Sequence, residues 1–468
     1  MLNKLEQFLF YFLFFAIPLQ TRKILYSPGW YFNEWQSISI YATDLILLVL
    51  FGLWAYQYLQ ARKFSIFNFQ FSIKSQFSIF KKLPKHDLFL LGFLAAAAIS
   101  VKNSSNFYVG VFLWLKLAEF ALFYFYLKTY AIKRFNFIGV LYALILGGVF
   151  QAVVAIGQFL KQGDLGLRLF GESVLNPHMT GVASFFTLSR VEGFIDSGEK
   201  VIRAYGTTPH PNVLAAYLFL AIFAFYFLIL RRNKPHHLHS HIMIYGSVEY
   251  VLLLFGLFFT FSRTIIFLWG VGFLAIIVMS IWAGSKTKTP VDNRLAKSII
   301  HRGVALVLAT FIVVGAFSLL YWPEVQSRMT LSSEEEAVRL RVFYNKESLE
   351  GGINLFGIGL GDFTGWLMEQ NPNLPSHVYQ PVHNIYLLIY SETGLAGITM
   401  FLLFLFFLLK NSYSKKTIGY WLLAIGFLFI GLFDHFLFTI QQGRFVFWLG
   451  LTLLAIGDII GEQSSSYA

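Results

Sequence analysis

The run Pro381-Val382-His383-Asn384-Ile385-Tyr386-Leu387-Leu388-Ile389-Tyr390 decides how this chain is read. Here Pro381-Val382-His383-Asn384 gives way at once to an apolar run. Upstream, from about Glu324, a polar segment of roughly sixty residues interrupts a sequence that is otherwise almost unrelieved apolar residues. It holds an acidic helix start, Ser332-Ser333-Glu334-Glu335-Glu336, a basic Arg339-Leu340-Arg341, and the glycine-punctuated Gly357-Ile358-Gly359-Leu360-Gly361. The pattern sets a reactive histidine at the mouth of a membrane helix, with an arginine-bearing helical loop folded over it.

Composition supports that frame. Of 468 residues, 57% are hydrophobic and 13% charged, against about 25% charged in a soluble domain. With 54 Phe and repeated apolar runs near twenty residues, the expectation is an all-α, polytopic transmembrane bundle forming one integral unit over 1–468. The absence of Cys excludes thiolate catalysis, cysteine-ligated metals and disulfides. A net charge of +12 is read as basic loops held at the cytoplasmic face rather than as a nucleic-acid surface. Residues Met1 to Gln20 carry one lysine before an apolar run and lack a small-residue cleavage site, so they read as an uncleaved first span.

About twelve spans can be drawn: 5–20, 38–59, 87–101, 107–127, 137–160, 212–230, 247–262, 264–283, 303–321, 385–409, 418–434 and 440–459. With the N-terminus in the cytoplasm, most of the 36 basic residues fall on inner connections. Both termini are therefore expected in the cytoplasm. The long polar loops at 161–211 and 322–384 then face outward, as do the short turns at Ser262-Arg263 and Asp434-His435. No ATP or nucleotide sugar is available on that face, so a transferase working there needs a donor already activated.

The inner loop Phe64 to Lys85 repeats Phe-Ser-Ile three times between lysines, a mixture suited to a strip lying over anionic lipid. The first outer loop has alternating stretches such as Ser184-Phe185-Phe186-Thr187-Leu188 and could hold a short hairpin. In the second, Ser332 with Glu335 makes a capping-box pattern, and Gly351-Gly352 ends a helix of about 333–349. Arg341, Asn345 and Ser348 share one face of it.

Four clusters could carry chemistry. Arg263, in Phe259-Thr260-Phe261-Ser262-Arg263-Thr264, sits at a membrane boundary, where a guanidinium could grip a lipid-borne diphosphate bidentately or snorkel to the headgroups. His383 could accept a proton from an acceptor hydroxyl, and Asn384 would orient it or cap the helix start. Arg203, His210 and Asn212 cluster at the outer start of the sixth span. Glu392 points away from His383 at helical spacing and is expected to bind a neighbouring helix, while Gly394 and Gly397 would allow close helix approach. Lys116 and Glu119, one turn apart, are expected to neutralise each other. The run from Gly357 to Gly361 is not read as a nucleotide loop, since no glycine-rich-loop helix follows it. No close group of His and carboxylates with ligand spacing stands out.

Together these elements resemble the O-antigen ligase and polymerase family of bacterial membrane glycosyltransferases. The matching pieces are Gly206 to Ala215 (Gly-x-x-x-His-Pro-Asn-x-x-Ala), Thr260-Phe261-Ser262-Arg263, Leu340 to Gly361, and His383-Asn384-x-x-Leu387 with Glu392, Gly394 and Gly397. The motifs fall within a core of about 200–400. The resemblance implies a metal-independent, cofactor-free enzyme of the bacterial plasma membrane, acting in cell-surface polysaccharide biosynthesis. It would transfer a glycan from a polyprenyl-diphosphate carrier, such as undecaprenyl diphosphate, to a lipid, glycan or protein hydroxyl. By the same resemblance Arg263 and Arg341 bind the diphosphate, with Arg339 able to take the place of Arg341, and His383 activates the acceptor. Arg203, His210, Asn212 and Asn384 would assist substrate binding. The rival class is a transporter, which predicts ionisable groups at mid-membrane and symmetry between halves. Only Lys116 and Glu119 stand out at depth, and no repeat is visible.

Overall fold

The computed structural model describes residues 2–27, 32–63, 83–191, 194–230, 239–285, 290–329, 336–350, 354–413 and 418–466. It is mostly helical, as the sequence requires. In chain order the elements begin with α1 (Leu2–Ala16), a hairpin of β1 (Arg22–Tyr26) and β2 (Ile38–Tyr41), then α2 (Ala42–Lys63), α3 (Lys85–Ser100) and α4 (Phe107–Tyr126). Next come α5 (Phe137–Lys161), a hairpin of β3 (Ser184–Val191) and β4 (Phe194–Ile202), α6 (Pro211–Leu230), α7 (His239–Phe259) and α8 (Arg263–Ser285). The rest are α9 (Pro290–Leu320), α10 (Trp322–Met329), α11 (Glu336–Glu350), α12 (Phe363–Gln370), α13 (Ile385–Asn411), α14 (Ile418–Ile430), α15 (Phe436–Thr439) and α16 (Gln441–Ser466).

Among the described residues, six helices are long and apolar enough to cross a membrane, and three shorter apolar helices lie at Gly246–Phe259, Arg263–Val278 and Gly419–Ile430. The polytopic helical character holds at that coarser level. The strip at Phe64 to Lys85 and the capping box at Ser332 to Glu335 fall mainly outside the described residues.

The chain divides into two compact units. The first comprises Met1–Phe10, Arg22–Phe135 and Ser333–Tyr467; the second comprises Tyr11–Thr21 and Asn136–Ser332. In the second unit α6 is buried on every side from Val213 to Tyr226, which fits a helix apolar all round. Small residues let its neighbours approach. A Cβ at Gly148 of α5 would strike Ala221 of α6 and Leu253 of α7, and one at Gly256 of α7 would strike Ala152 of α5. Close backbone approach of this kind is how membrane helices gain packing contact without a hydrophobic driving force between them. The hairpin β3–β4 runs antiparallel from Ser184 opposite Ile202, with an irregularity between Phe186 and Leu188.

In the first unit, α3 and α4 pack with α13 and α16. Ion pairs fasten helix ends here. Glu6 of α1 is fully buried and meets Arg134 at 2.9 Å and the Tyr130 hydroxyl at 2.5 Å. Lys128 reaches Asp87 at 2.7 Å. Partnered charges of this type are tolerated away from water because each satisfies the other.

Helix α13 is broken rather than continuous. Gly394 adopts φ 68 and ψ −167, a region open essentially to glycine alone. The loop at 354–359 fills the break. Ile358 and Gly359 donate their N–H groups to the carbonyls of Ser391 and Glu392, while Leu395 and Ala396 donate to Asn354 and Leu355. Two sequence expectations change accordingly. Gly394 makes room for this loop, not for a helix, since a Cβ there would collide with the backbone of Asn354, Leu355 and Gly357. A Cβ at Gly397 would meet the side chain of Thr393 in its own helix. The Glu392 carboxylate accepts backbone N–H groups of Gly361 and of Phe363 at the start of α12, and Arg444 of α16 acts on it electrostatically. Helical periodicity does not reveal backbone partners of this kind.

Candidate active site

His383 lies half-buried in the first unit, just before α13. The Asn384 side chain accepts the N–H groups of Tyr386 and Leu387 at 2.9 and 3.2 Å, so it caps the helix start. One face of the imidazole stacks on Tyr344 of α11, with centroids 5.3 Å apart and planes within 7°. Tyr344 is held by donating its hydroxyl to the Val378 carbonyl at 2.6 Å. His435 meets the ring edge-on, at 4.8 Å and 89°. The ring is thereby fixed in orientation.

The tautomer follows from the contacts. His383 Nδ1 lies 3.1 Å from the Pro381 carbonyl oxygen, and a carbonyl can only accept. Nδ1 therefore carries the hydrogen, and in the neutral ring Nε2 holds a lone pair. Burial lowers the pKa of His383 below its ordinary value, and the nearby Arg341 guanidinium lowers it further. The Asp434 carboxylate and the Pro381 hydrogen bond act the other way. The net result favours the neutral form.

Helix α11 separates the two candidate arginines of the second loop. Arg341 is half-buried on the side that carries buried Tyr344 and Ser348, whereas Arg339 is exposed. Asn345 is half-buried and accepts the Ser348 hydroxyl through its carbonyl at 2.7 Å. The Arg341, Asn345 and Ser348 face expected from spacing is thus the inward face.

The Asp434-His435 turn, marked in the sequence only as outward-facing, is brought to His383. Donor atoms of His383, Asp434 and His435 all lie within 4.8 Å of one another, a grouping that could hold a metal ion. This corrects the sequence expectation that no such group exists. The members are some fifty residues apart, so ligand spacing along the chain could not reveal them. Trp35 extends the cluster, edge-on to His435 at 4.9 Å and 90°. Residues near the hairpin β1–β2 gave no sequence signal at all.

The buried ionic cluster beside this site is larger than the Lys116 and Glu119 pair read from the sequence. Lys116 does meet Glu119, at 3.0 Å, but it also pairs with Asp44 at the start of α2. Arg444 of α16 faces Tyr41, Glu119, Asp44 and Glu392 and donates Nε to the Phe438 carbonyl at 2.7 Å.

The second unit holds the other motif residues. Gly206 has φ 59, and a Cβ on it would strike Gln151. Gln158 of α5, fully buried, fixes the chain on either side. It accepts the N–H groups of Tyr205 and Gly206 at 3.0 and 2.8 Å, and donates to the Gly206 carbonyl at 2.8 Å and to Glu172 at 2.7 Å. The segment so placed then grips the turn before Arg263. Arg203 donates to the Thr260 carbonyl at 2.7 Å and to Asn212 at 2.6 Å, and Ser262 donates to Asn212 at 3.1 Å. His210 is half-buried and accepts the Asn212 N–H at 3.2 Å. Arg203 and Asn212 therefore shape the turn on which Arg263 opens α8.

Arg263 itself lines an apolar groove of about 250 Å³ with Phe258, Trp269 and Phe317, and Arg328 of α10 lines the same groove. Arg328 was not singled out in the sequence, where it reads as one more basic residue in a polar loop.

Comparison with curated proteins gives no significant match. Against protein-family models, residues 250–402 match the model described as O-antigen ligase. That stretch includes Arg263, Arg328, Arg341 and His383, and it bears out the resemblance drawn from the motifs. It supports a membrane glycosyltransferase-type function in polysaccharide biosynthesis. Over residues 250–402, the chain is similar to the O-antigen ligase family.

Proposed function

We propose that the protein transfers a glycan from a polyprenyl-diphosphate carrier to an acceptor hydroxyl on the exoplasmic face of a bacterial plasma membrane, without a metal ion. The observation that carries this reading is the state of His383. Its imidazole packs against Tyr344 and His435 with Nδ1 committed to Pro381, leaving Nε2 to act as a base, and burial lowers its pKa. In the step proposed, Nε2 takes the proton of the acceptor hydroxyl, and the acceptor oxygen attacks the anomeric carbon. The bond from that carbon to the diphosphate oxygen breaks, and the lipid diphosphate departs with the electron pair. Asp434 offsets the positive charge that forms on the ring, and the proton is then lost to water. General-base assistance of this kind is worth about 10² to 10⁴ in rate.

The donor reading rests on the second unit. Apolar rings with Arg263 and Arg328 along one groove fit a lipid with an anionic head: isoprene units lie against the rings, and the diphosphate takes the guanidiniums. The family resemblance assigns Arg341 a share in offsetting the negative charge of the leaving group.

The test pairs a binding assay for polyprenyl-diphosphate glycan with a transfer assay, on Arg263→Lys, Arg341→Lys and His383→Ala. A point charge cannot reproduce the planar fork, so both Lys variants should lose donor affinity and turnover together. His383→Ala should bind donor normally and lose about 10² to 10⁴ in turnover. Near-parental transfer by His383→Ala removes the base from the scheme. Sidedness is read with single cysteines at Lys297 and Gln370 and an impermeant thiol reagent on intact cells. Labelling at 297 with protection at 370 inverts the orientation.

A further inference from the structure

Two imidazoles and a carboxylate meet where the segment before α13 touches the turn before α15. One donor atom from each of His383, Asp434 and His435 lies within 4.8 Å of the other two. The hydrogen bonds around the rings say which nitrogens carry lone pairs. His383 Nδ1 gives its hydrogen to the Pro381 carbonyl at 3.1 Å, so the lone pair of the neutral ring is on Nε2. His435 resolves the same way. The single hydroxyl hydrogen of Thr439 goes to the His435 carbonyl at 3.1 Å. Thr439 Oγ1 therefore accepts at its other contact, 2.7 Å from His435 Nδ1, and Nδ1 carries the hydrogen. In the neutral ring Nε2 again holds the lone pair. Asp434 Oδ1 takes the His435 N–H at 2.8 Å, which ties the carboxylate to the same turn.

Imidazoles that bind metal donate their other ring N–H to a fixed oxygen, which sets both tautomer and ring orientation. Both rings here do so, one to a backbone carbonyl and one to a threonine hydroxyl. The nearness of three donors and the commitment of both Nδ1 atoms are separate observations, and they agree. A tetrahedral ion with bonds of about 2.0–2.1 Å sets its ligand atoms roughly 3.4 Å apart. From 4.8 Å or less, the donors need to close by at most about 1.4 Å to meet such an ion.

The donor set also names the class of ion. Two imidazole nitrogens and one carboxylate oxygen suit zinc and its divalent first-row neighbours, whereas magnesium and calcium call for oxygen throughout. Three protein ligands leave a fourth position for water. Arg341 is the opposing charge: it acts electrostatically on His383 with the sign opposite to that of Asp434, and so weakens the hold on a cation. Occupancy has a chemical consequence. The Nε2 lone pair of His383 can hold a metal ion or a proton, not both. With the ion in place the ring takes no proton from the acceptor hydroxyl. Of the three residues only His383 falls within the stretch of 250–402 that matches the family.

We propose that His383, Asp434 and His435 form an inhibitory site for a divalent transition-metal ion, and that filling it switches the base off. The effect on turnover rests on the transferase reading above; the binding of the ion does not.

The test uses untagged, full-length protein in nanodiscs, stripped of metal with chelator, and zinc as the probe. The run His236-His237-Leu238-His239-Ser240-His241 could also take zinc, so its four histidines are changed to Asn in the parent and in every variant. Zinc binding is measured by competition with a chromophoric chelator, and transfer is measured at buffered free zinc. A single zinc should bind the parent, turnover should fall as it binds, and excess chelator should restore it. Magnesium at the same concentration should do neither. Thr439→Val should weaken zinc about 10- to 100-fold, the usual cost of an outer-shell partner, and His435→Gln should weaken it more. Asp434→Asn should also weaken zinc, whereas Arg341→Gln should tighten it. In each variant that turns over, the midpoint of inhibition should move with the binding constant, read against that variant's own zinc-free rate. The donor's diphosphate also binds zinc, but alike for all variants, so it does not produce these shifts. Parental zinc affinity in both His435→Gln and Asp434→Asn, or a filled site with unchanged turnover, overturns the inference and leaves the transferase reading intact. Turnover raised by zinc overturns it as well, by making the ion a requirement. Zinc binding ordered as expected in a protein that transfers no glycan would instead sink the transferase reading and, with it, the inhibitory role.

Discussion

Gln158 offers the sharpest quantitative test of how the second unit is held together. Its side chain makes four hydrogen bonds from a fully buried position, two as acceptor and two as donor. Gln158→Ala strands the N–H groups of Tyr205 and Gly206 and the Gly206 carbonyl. At about 1–2 kcal/mol for each buried group left bare, the cost is about 3–6 kcal/mol. Gln158→Glu is nearly isosteric, yet it should be no milder. A carboxylate keeps the two accepted N–H groups but cannot donate, and it sets its charge against the Gly206 carbonyl and the Glu172 carboxylate. Purified protein would be heated in detergent and the surviving monodisperse fraction measured by fluorescence-detected size exclusion. With about 2–4 °C per kcal/mol for a body of some 200 residues, the Ala variant should lose at least 6–12 °C in apparent melting temperature. Because unfolding in detergent is irreversible, the ranking matters more than the value. Were Gln158→Glu to melt within about 2 °C of the parent, the donor role assigned to its amide would be wrong.

Other outcomes follow from particular contacts. Gly394→Ala should cost about 3 kcal/mol or more, since it combines a glycine-only conformation with collision against the 354–357 loop; a normal yield and melting temperature in the same detergent assay would contradict this. The rate profile should show an acid limb below pH 6.5, because burial lowers His383 and the neutral ring is the active form. Asp434→Asn, which removes a group that raises His383, should move that limb further down, and Arg341→Gln should move it up; a limb at or above pH 7 in the parent counts against His383 as the base. Transfer should persist in excess chelator, and a loss restored by a single divalent ion would turn His383, Asp434 and His435 into metal ligands.

What the sequence made legible were features written locally. Apolar runs show as helices, and Asn384 before Ile385 shows as a cap. Ser184 to Leu188 alternates and forms half a hairpin, while Arg341, Asn345 and Ser348 fall on one helical face as their spacing requires. Motif residues Arg203, Asn212 and Ser262 also come together. What stayed hidden needed either a break in a period or a meeting of distant parts. The 100° rule places Glu392 on a helix face, but it does not show the backbone N–H groups of Gly361 and Phe363 that its carboxylate accepts. Asp434 and His435 reach His383 only through the fold, and nothing around the hairpin β1–β2 announces Trp35 as a neighbour of His435. Arg328 was lost among other basic residues because its distinguishing feature is an apolar groove, which no linear pattern records.

The patch at Gly394 bears on how the chain is made. A helix broken at depth exposes backbone donors and acceptors, and each one bare in hydrocarbon costs several kcal/mol. Here Asn354, Leu355, Ile358 and Gly359 supply the missing partners to Ser391, Glu392, Leu395 and Ala396. Those four residues leave the ribosome some thirty to forty positions before the ones they serve. The patch thus exists before the break arrives, and α13 can enter the bilayer already mended. A rearranged gene that moved 354–359 behind α13 would encode the same contacts in the wrong order of birth. Its product would have to insert the broken helix first and wait.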